Sequence, residues 1–233
     1  MKYAVILAGG RGTRLRPYTL TLPKPLVPIG DTPIVEVVIR KLAKAGFDVV
    51  TLAINHMGAL IQAYFGNDRR WGLTMQYSFE GEALGTIAPL RLIADLPEHF
   101  LVMNADVLSD VDLSTFLAGH IRSNAIFTIA ATRREQVLDF GILGVEGERL
   151  VSFQEKPKVV QQVSMGIYGV CRRVLEFIPP AGPFGFDQLM LRLIAEGERI
   201  NVVPHDGYWL DIGRPEDYEL ANREFERDRN RFL

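Results

Sequence analysis

The sequence predicts an α/β fold built on a mostly parallel sheet wrapped by helices, and three observations carry that expectation. Short apolar runs rich in Val, Ile and Leu alternate with segments of helical spacing from the N-terminus to Asp106, the pattern of strands joined by crossover helices. The chain has 233 residues, and its 48% hydrophobic content suffices to bury both faces of a sheet. No long linker, internal repeat or low-complexity tract interrupts it, so one domain over residues 1–233 is expected.

Taken in order, AVILA at residues 4–8 reads as a buried strand, followed by a helix around Ile34 to Ala45. VVTLAIN is the next strand, then a helix around Met57 to Phe65, the strand LTMQYSF, a helix around Ile87 to Ala94, and the strand HFLVMNAD. After about residue 125 the pattern turns strand-rich, with AIFTIAATR, FGILGVE, RLVSFQEK and SMGIYGVCR, before short helices and INVVPHDGYWLDIG. The closing NREFERDRNRFL reads as a charged helix on the surface with its charges solvated. Ligands of open α/β sheets sit beyond the carboxyl ends of the strands. The chemistry should therefore lie after Ala8 and after Met103.

That is where the two most informative motifs fall. Leu7 and Ala8 run directly into Gly9, Gly10, Arg11, Gly12, Thr13 and Arg14, with Lys24 shortly after. Closely spaced glycines let the backbone turn tightly and present successive N–H groups to phosphate oxygens. Arg14 adds a planar fork and Lys24 a point charge, so a nucleotide is the natural ligand. Neither GxxxxGK[ST] nor GxGxxG is present, which argues against the usual kinase and dehydrogenase loops. The second motif is a pair of distant aspartates. Asp106 follows Asn104 at the end of a buried strand, and Asp211 follows Tyr208-Trp209-Leu210. A strand-end aspartate taken alone often just bonds turn amides. Two together suit Mg²⁺, which takes one or two carboxylates and completes its shell with phosphate oxygens and water.

Composition narrows the partners. A net charge of −2 gives no general attraction to nucleic acid or to an anionic membrane. No segment is apolar for long enough to span a bilayer, and the N-terminus reads as a strand rather than a signal peptide. A cytoplasmic location is expected. Cys171, the single cysteine, leaves no internal disulfide or cysteine-based zinc site and is expected to pack in the core.

The stretch AGGRGTRLRPYTLTLPKPLVPIGDTPIVE closely resembles the signature of the sugar-1-phosphate nucleotidylyltransferases, and the resemblance extends over essentially the whole chain. It implies a Rossmann-like three-layer core of the nucleotidyltransferase, GT-A-like type, with residues 1–125 mainly binding nucleotide and 126–233 mainly binding sugar phosphate. It also implies an NTP and a sugar 1-phosphate as substrates, with Arg14, Lys24 and Asp106 as catalytic residues. Asp106 and Asp211 would hold Mg²⁺, although Ala105 stands where the family usually has glycine. Glu155 and Lys156 of the EKP segment would grip sugar hydroxyls and phosphate, and the Gly141 backbone would approach the sugar. In Val163-Ser164-Met165-Gly166, Ser164 replaces the family's usual asparagine while Gly166 is retained. The shorter hydroxyl reaches less far, which leaves three readings open: a sugar other than the common hexoses, a water spanning the gap, or a strand edge with a tolerated substitution.

Base choice should reside in residues 80–90. Glu80, Gly85 and Thr86 lie in a segment that resembles guanylyl-transferring members more than thymidylyl-transferring ones, and an acidic side chain suits the N1–H and amino donors of guanine. GTP is thus favoured, with D-glycero-α-D-manno-heptose 1-phosphate or mannose 1-phosphate as the second substrate. A homo-oligomer is compatible with this reading. The competing readings are thymidylyl or uridylyl transfer to glucose 1-phosphate or an amino-sugar phosphate, and a non-catalytic sensor or regulatory subunit. Without the family context, Glu155-Lys156-Pro157 would be a solvated turn and Glu80 and Glu82 solvated loop charges.

Overall fold

The computed structural model describes residues 1–66 and 70–233. In chain order its strands are β1 (Tyr3–Leu7), β2 (Pro28–Ile29), β3 (Thr32–Pro33), β4 (Val49–Ile54), β5 (Thr74–Phe79), β6 (His99–Asn104), β7 (Val107–Ser109), β8 (Phe127–Val137), β9 (Ile142–Glu146), β10 (Arg149–Gln154), β11 (Lys158–Cys171), β12 (Ile200–Pro204) and β13 (Trp209–Asp211). The helices are α1 (Ile34–Lys44), α2 (Gly58–Phe65), α3 (Leu113–Ser123), α4 (Phe186–Ala195), α5 (Pro215–Arg227) and the short α6 (Arg229–Phe232).

Seven strands form the central sheet in the order β12-β8-β11-β6-β1-β4-β5. All neighbours are parallel except β11, which runs antiparallel to both β6 and β8. The predicted mixed α/β architecture is thus present, with strands from both sides of residue 125 in one sheet. Alternation along β1 explains the layering, since successive side chains of a strand point to opposite faces. Ala4 and Ile6 meet α1, α2 and α3 through Val38, Leu42, Ile61 and Leu117. Tyr3 and Val5 face the other way, toward Leu90 and the α4 residues Leu189 and Leu193. Each such fully buried aliphatic side chain contributes roughly 1.5–3 kcal/mol.

Two expectations need correction, and a third is met in a setting of its own. The helix around Ile87 to Ala94 is only a 3₁₀ turn over Ala88–Leu92. Pro89 supplies no N–H, and the Ile87 and Ala88 amides donate to the Phe184 carbonyl instead of to a helix. FGILGVE and RLVSFQEK are strands, and among the described residues they pair only with each other, as the β9–β10 ribbon. The closing segment is not merely a solvated surface helix. Ala221, Phe225 and Phe232 are buried against Leu15, Ile29, Leu108 and Ile212 in a third core, and Arg231 is bound to Asp110. Its charges masked a 3.6-period apolar stripe.

Candidate functional site

The phosphate loop leaves β1 at its carboxyl end, held by the Ala8 amide donating to the Ala53 carbonyl at 2.8 Å. Gly12 has φ +61°, and a Cβ there would fall 2.8 Å from the Lys24 Cβ. Only glycine accommodates both the left-handed turn and the close passage of the Lys24 stem. The Thr19 hydroxyl donates to the Gly12 carbonyl at 2.8 Å and fixes the turn. A 3₁₀ turn over Thr13–Leu15 then buries Leu15 and leaves Arg14 exposed at the cleft.

These residues line a cavity of about 480 Å³. Every expected nucleotide-binding residue contributes to its wall: Leu7, Ala8, Gly9, Gly10, Gly12, Thr13, Arg14, Lys24, Glu80, Gly85, Thr86 and Asn104. Arg11, Ala83, Pro89 and Gly213 also line it. Arg11 stood inside the glycine motif and was legible there, whereas Gly213 arrives from the far end of the chain. Glu80 reaches over the loop: its Oε1 lies 2.7 Å from where a Gly9 Cβ would be, and its Oε2 accepts from the Leu84 amide at 3.2 Å. Burial raises the Glu80 carboxyl above the usual carboxylate range, only partly offset by that amide. The Thr86 hydroxyl accepts from the Phe186 amide at 2.8 Å and so ties the segment to α4.

The two aspartates meet on a second, buried ribbon. β7 and β13 pair antiparallel with Asp211 opposite Val107, and the Ile212 amide donates to the Asp106 carbonyl at 3.0 Å. Lys24 Nζ forms an ion pair with Asp106 Oδ2, while Asp106 Oδ1 is buried with no hydrogen-bond partner among the described residues. The Asp211 carboxyl is raised by burial and by the nearby Asp106 charge, against the lowering effect of Lys24 and Arg14. A buried oxygen lacking a donor and two carboxylates that repel each other form a donor set suited to a hard divalent cation.

The far end of this ribbon is pinned. The Asp110 carboxylate accepts from His205 Nε2 at 2.7 Å and from Arg231 Nε at 2.9 Å. Burial alone would raise the Asp110 carboxyl, but Arg231, the Tyr208 amide and His205 outweigh it and bring it down to about 2.

A second cavity of about 520 Å³ shares Arg14 and Gly213 with the first and is lined also by Arg134, Gln161, Val163, Asp211 and Arg214. Arg134 and Gln161 belong to the outer parts of β8 and β11 and carried no motif in the sequence. Ser164 lies beside this cavity, but its Oγ donates to the Tyr168 hydroxyl at 3.1 Å and accepts from the Gly166 amide at 3.4 Å, inside a break in the β8–β11 register. Gly166 lies against the Asn104 side chain. Gly141, Glu155 and Lys156 are placed differently. They gather at the base of the exposed β9–β10 ribbon, Glu155 Oε2 being 3.3 Å from where a Gly141 Cβ would stand, and none of the three lines either cavity. Lys156 has φ +41° directly before Pro157, although the residue before proline favours extended backbone. Such an outlier is strained backbone that the surrounding turn must hold in place. Among the described residues no helix is long and apolar enough to cross a membrane.

The chain is 37% identical over 228 residues to a probable mannose-1-phosphate guanylyltransferase 2 of Arabidopsis thaliana, covering 92% of this chain and 62% of that protein. It is 33% identical over 241 residues to a UTP–glucose-1-phosphate uridylyltransferase of Synechocystis, covering 94% and 62%. The chain therefore spans 62% of the length of these curated relatives. In fold it matches the crystal structure of HddC from Yersinia pseudotuberculosis with a TM-score of 0.75 at 24% identity, covering 97% of this chain and 100% of that one. A family profile described as Nucleotidyl transferase matches residues 3–228. With that match over nearly its whole length, the chain belongs to the nucleotidyl transferase family.

Proposed function

We propose that this chain transfers a nucleotidyl group from an NTP to a sugar 1-phosphate, releasing pyrophosphate, and that it favours GTP. The observation that carries the reading is the convergence of the glycine loop, Arg14, Lys24 and Asp106 around one cavity, with Asp211 lining the adjoining cavity that shares Arg14 and Gly213 with it. In this reading the 480 Å³ cavity takes the nucleotide and the adjoining polar cavity takes the sugar 1-phosphate. Residues 1–125 then supply most of the nucleotide contacts and residues 126–233 most of those to the sugar phosphate.

An oxygen of the sugar phosphate attacks the α-phosphorus in line, the bond to the β-phosphate oxygen breaks, and pyrophosphate leaves. The attacking phosphate is already anionic at neutral pH, so the site needs alignment and charge neutralisation rather than a side-chain nucleophile. Arg14 stabilises charge on the departing phosphates. Lys24 and Lys156 screen the two anions from each other, and Asp106 and Asp211 hold Mg²⁺, which polarises the α-phosphate when bound.

Glu80, standing over the loop at Gly9, supports guanine by offering a carboxylate to its adjacent donors, and the guanylyltransferase relatives agree with it. D-glycero-α-D-manno-heptose 1-phosphate or mannose 1-phosphate is the matching second substrate, and the product would supply polysaccharide assembly from the cytoplasm. A second reading, uridylyl transfer to glucose 1-phosphate, is favoured by the cyanobacterial relative. Pyrophosphate release measured with GTP, dTTP, UTP, CTP and ATP against several sugar 1-phosphates tests both. GTP with a manno-configured sugar should turn over fastest. A faster reaction with UTP and glucose 1-phosphate would overturn the base assignment, and no turnover with any pair would favour a regulatory subunit.

A further inference from the structure

Arg134 and Gln161 line the second cavity, and no step of the proposed reaction uses them. They stand directly opposite each other on the outer parts of β8 and β11. Side chains so paired lie on one face of the sheet, with Cβ atoms about 5 Å apart. Neither side chain makes a hydrogen bond or an ion pair among the described residues. Two of the carboxylates in this cavity are engaged elsewhere, since Glu135 is paired with Lys158 at 2.8 Å and Asp217 accepts from the Arg214 amide at 2.9 Å. The guanidinium donors of Arg134 and the carboxamide of Gln161 are thus left to a ligand.

Their place in the cavity decides which part of a ligand they meet. Arg14 and Gly213 are shared with the nucleotide cavity, whereas Arg134 and Gln161 line the second cavity alone. The reacting phosphate therefore belongs at the shared wall, beside the α-phosphorus. Ala131 pairs with Ser164 at the edge of the register break, and Gly166 inside that break lies against Asn104 of the nucleotide cavity. Arg134 stands three residues beyond Ala131, roughly 10 Å along the strand. That span is comparable with a sugar ring and its exocyclic carbons, so the pair meets the end of the sugar remote from its phosphate.

The charge of the cavity selects the group that is met. Arg14, Arg134 and Arg214 are balanced by Glu135, Asp211 and Asp217, and no surplus of charge calls for a second anion. A donor-rich pair that also offers the Gln161 carbonyl oxygen suits hydroxyls, which accept and donate at once, better than a carboxylate, which only accepts. The planar fork of Arg134 matches two adjacent oxygens. We infer, resting on the proposed transfer to a sugar 1-phosphate, that Arg134 and Gln161 determine specificity by binding adjacent hydroxyls on carbons beyond the ring. They would then favour a mannoheptose 1-phosphate over mannose 1-phosphate, which has one hydroxyl beyond its ring.

Isothermal titration of the two sugar phosphates, with Mg²⁺ and a GTP analogue carrying a methylene between its α- and β-phosphates, tests this without turnover. The wild type should bind the heptose phosphate several-fold more tightly. Arg134→Gln and Gln161→Ala should each weaken the heptose phosphate about tenfold and mannose 1-phosphate no more than about threefold. Arg134→Lys keeps the charge but loses the fork, and should not restore the preference. Arg133→Gln, on the opposite face of β8, should change neither affinity. All three side chains are exposed, so the fold should survive, as an unchanged melting temperature would show. Equal weakening of both sugar phosphates would make Arg134 a phosphate contact. Tighter binding of mannuronic acid 1-phosphate than of the heptose phosphate would make it an anion reader, and variants that bind like the wild type would make it a solvated charge. Each of these results overturns the inference while the proposed activity stands. A wild type that binds no sugar phosphate overturns the proposed function, and this assignment with it.

Discussion

The β7–β13 and β9–β10 ribbons are both antiparallel, both two strands wide, and both carry residues assigned here to substrate chemistry, yet they are held in opposite ways. The first is largely buried, tied to β11 by the Trp209 indole donating to the Met165 carbonyl at 2.9 Å, and pinned at its far end by Arg231 and His205 on Asp110. The second is exposed along both strands. In the proposed reading, the difference teaches that the end assigned to metal and nucleotide is built before substrate arrives, whereas the residues assigned to the sugar phosphate stand on the exposed, less supported ribbon. Preorganised charge in a buried setting is where rate is made, and adjustable contacts are where selectivity is made.

The sharpest break of that contrast is at the buried ribbon. Asp106→Asn and Asp211→Asn keep the shape but lose the charge that holds a cation, and each should lower kcat by at least ~10³-fold with the fold intact. Steady-state rates at ordinary Mg²⁺ and a melting curve check this, and near-normal turnover in either variant removes that residue from the site. Next comes the pin. Asp110 ionises near pH 2 in the folded chain against 3.8 ordinarily. Its depressed value adds stability that is fully present above pH 4 and is lost as the pH falls through 2, by an amount that solvent screening of this part-exposed carboxylate reduces. Denaturant titrations of wild type and Asp110→Asn should therefore diverge at pH 6 and converge toward pH 2.

The exposed ribbon should respond more mildly. Lys156→Ala should raise KM about tenfold for every sugar 1-phosphate and leave KM for the nucleotide unchanged, the mark of a shared phosphate contact. A change confined to one sugar would make Lys156 a hydroxyl contact instead. Smallest of all is Ser164→Asn, expected to shift the heptose-to-mannose ratio of kcat/KM by a few-fold against the heptose, because the longer amide fills space. An unchanged ratio would leave Ser164 as a fastener of the register break and nothing more.

The same contrast explains what was legible in the sequence. The phosphate loop, Lys24, Asn104 and Asp106 sit in or beside short, locally determined elements, where glycine spacing and apolar runs report directly on geometry. Asp211 was singled out beside the small turn at Ile212-Gly213, and Glu80 only through the resemblance of residues 80–90 to guanylyl-transferring members. Arg134, Gln161 and Arg231 were not, because what places them is pairing across the chain: the outer β8–β11 register and the contact with Asp110 from 121 residues away. The exposure of Gly141, Glu155 and Lys156 was equally hidden, since a motif specifies which residues meet a ligand but not which element carries them. Helix length failed around Pro89, where a carbonyl from Phe184 replaced the helical acceptor.

Strand β11 gives the site a mechanical character. Its inner part, Ile167–Cys171, is clamped between β6 and β8, while its outer part, Lys158–Ser164, is bonded only to β8. It works as a lever whose fulcrum is the register break at Met165 and Gly166, the point fastened to the β7–β13 ribbon by Trp209. In the proposed reading the long end lines only the sugar-phosphate cavity, through Gln161 and Val163, so its side chains can be exchanged without touching the wall assigned to the nucleotide. A lineage carrying this fold could change the sugar it accepts by altering the arm alone, while keeping one unaltered engine for the nucleotide.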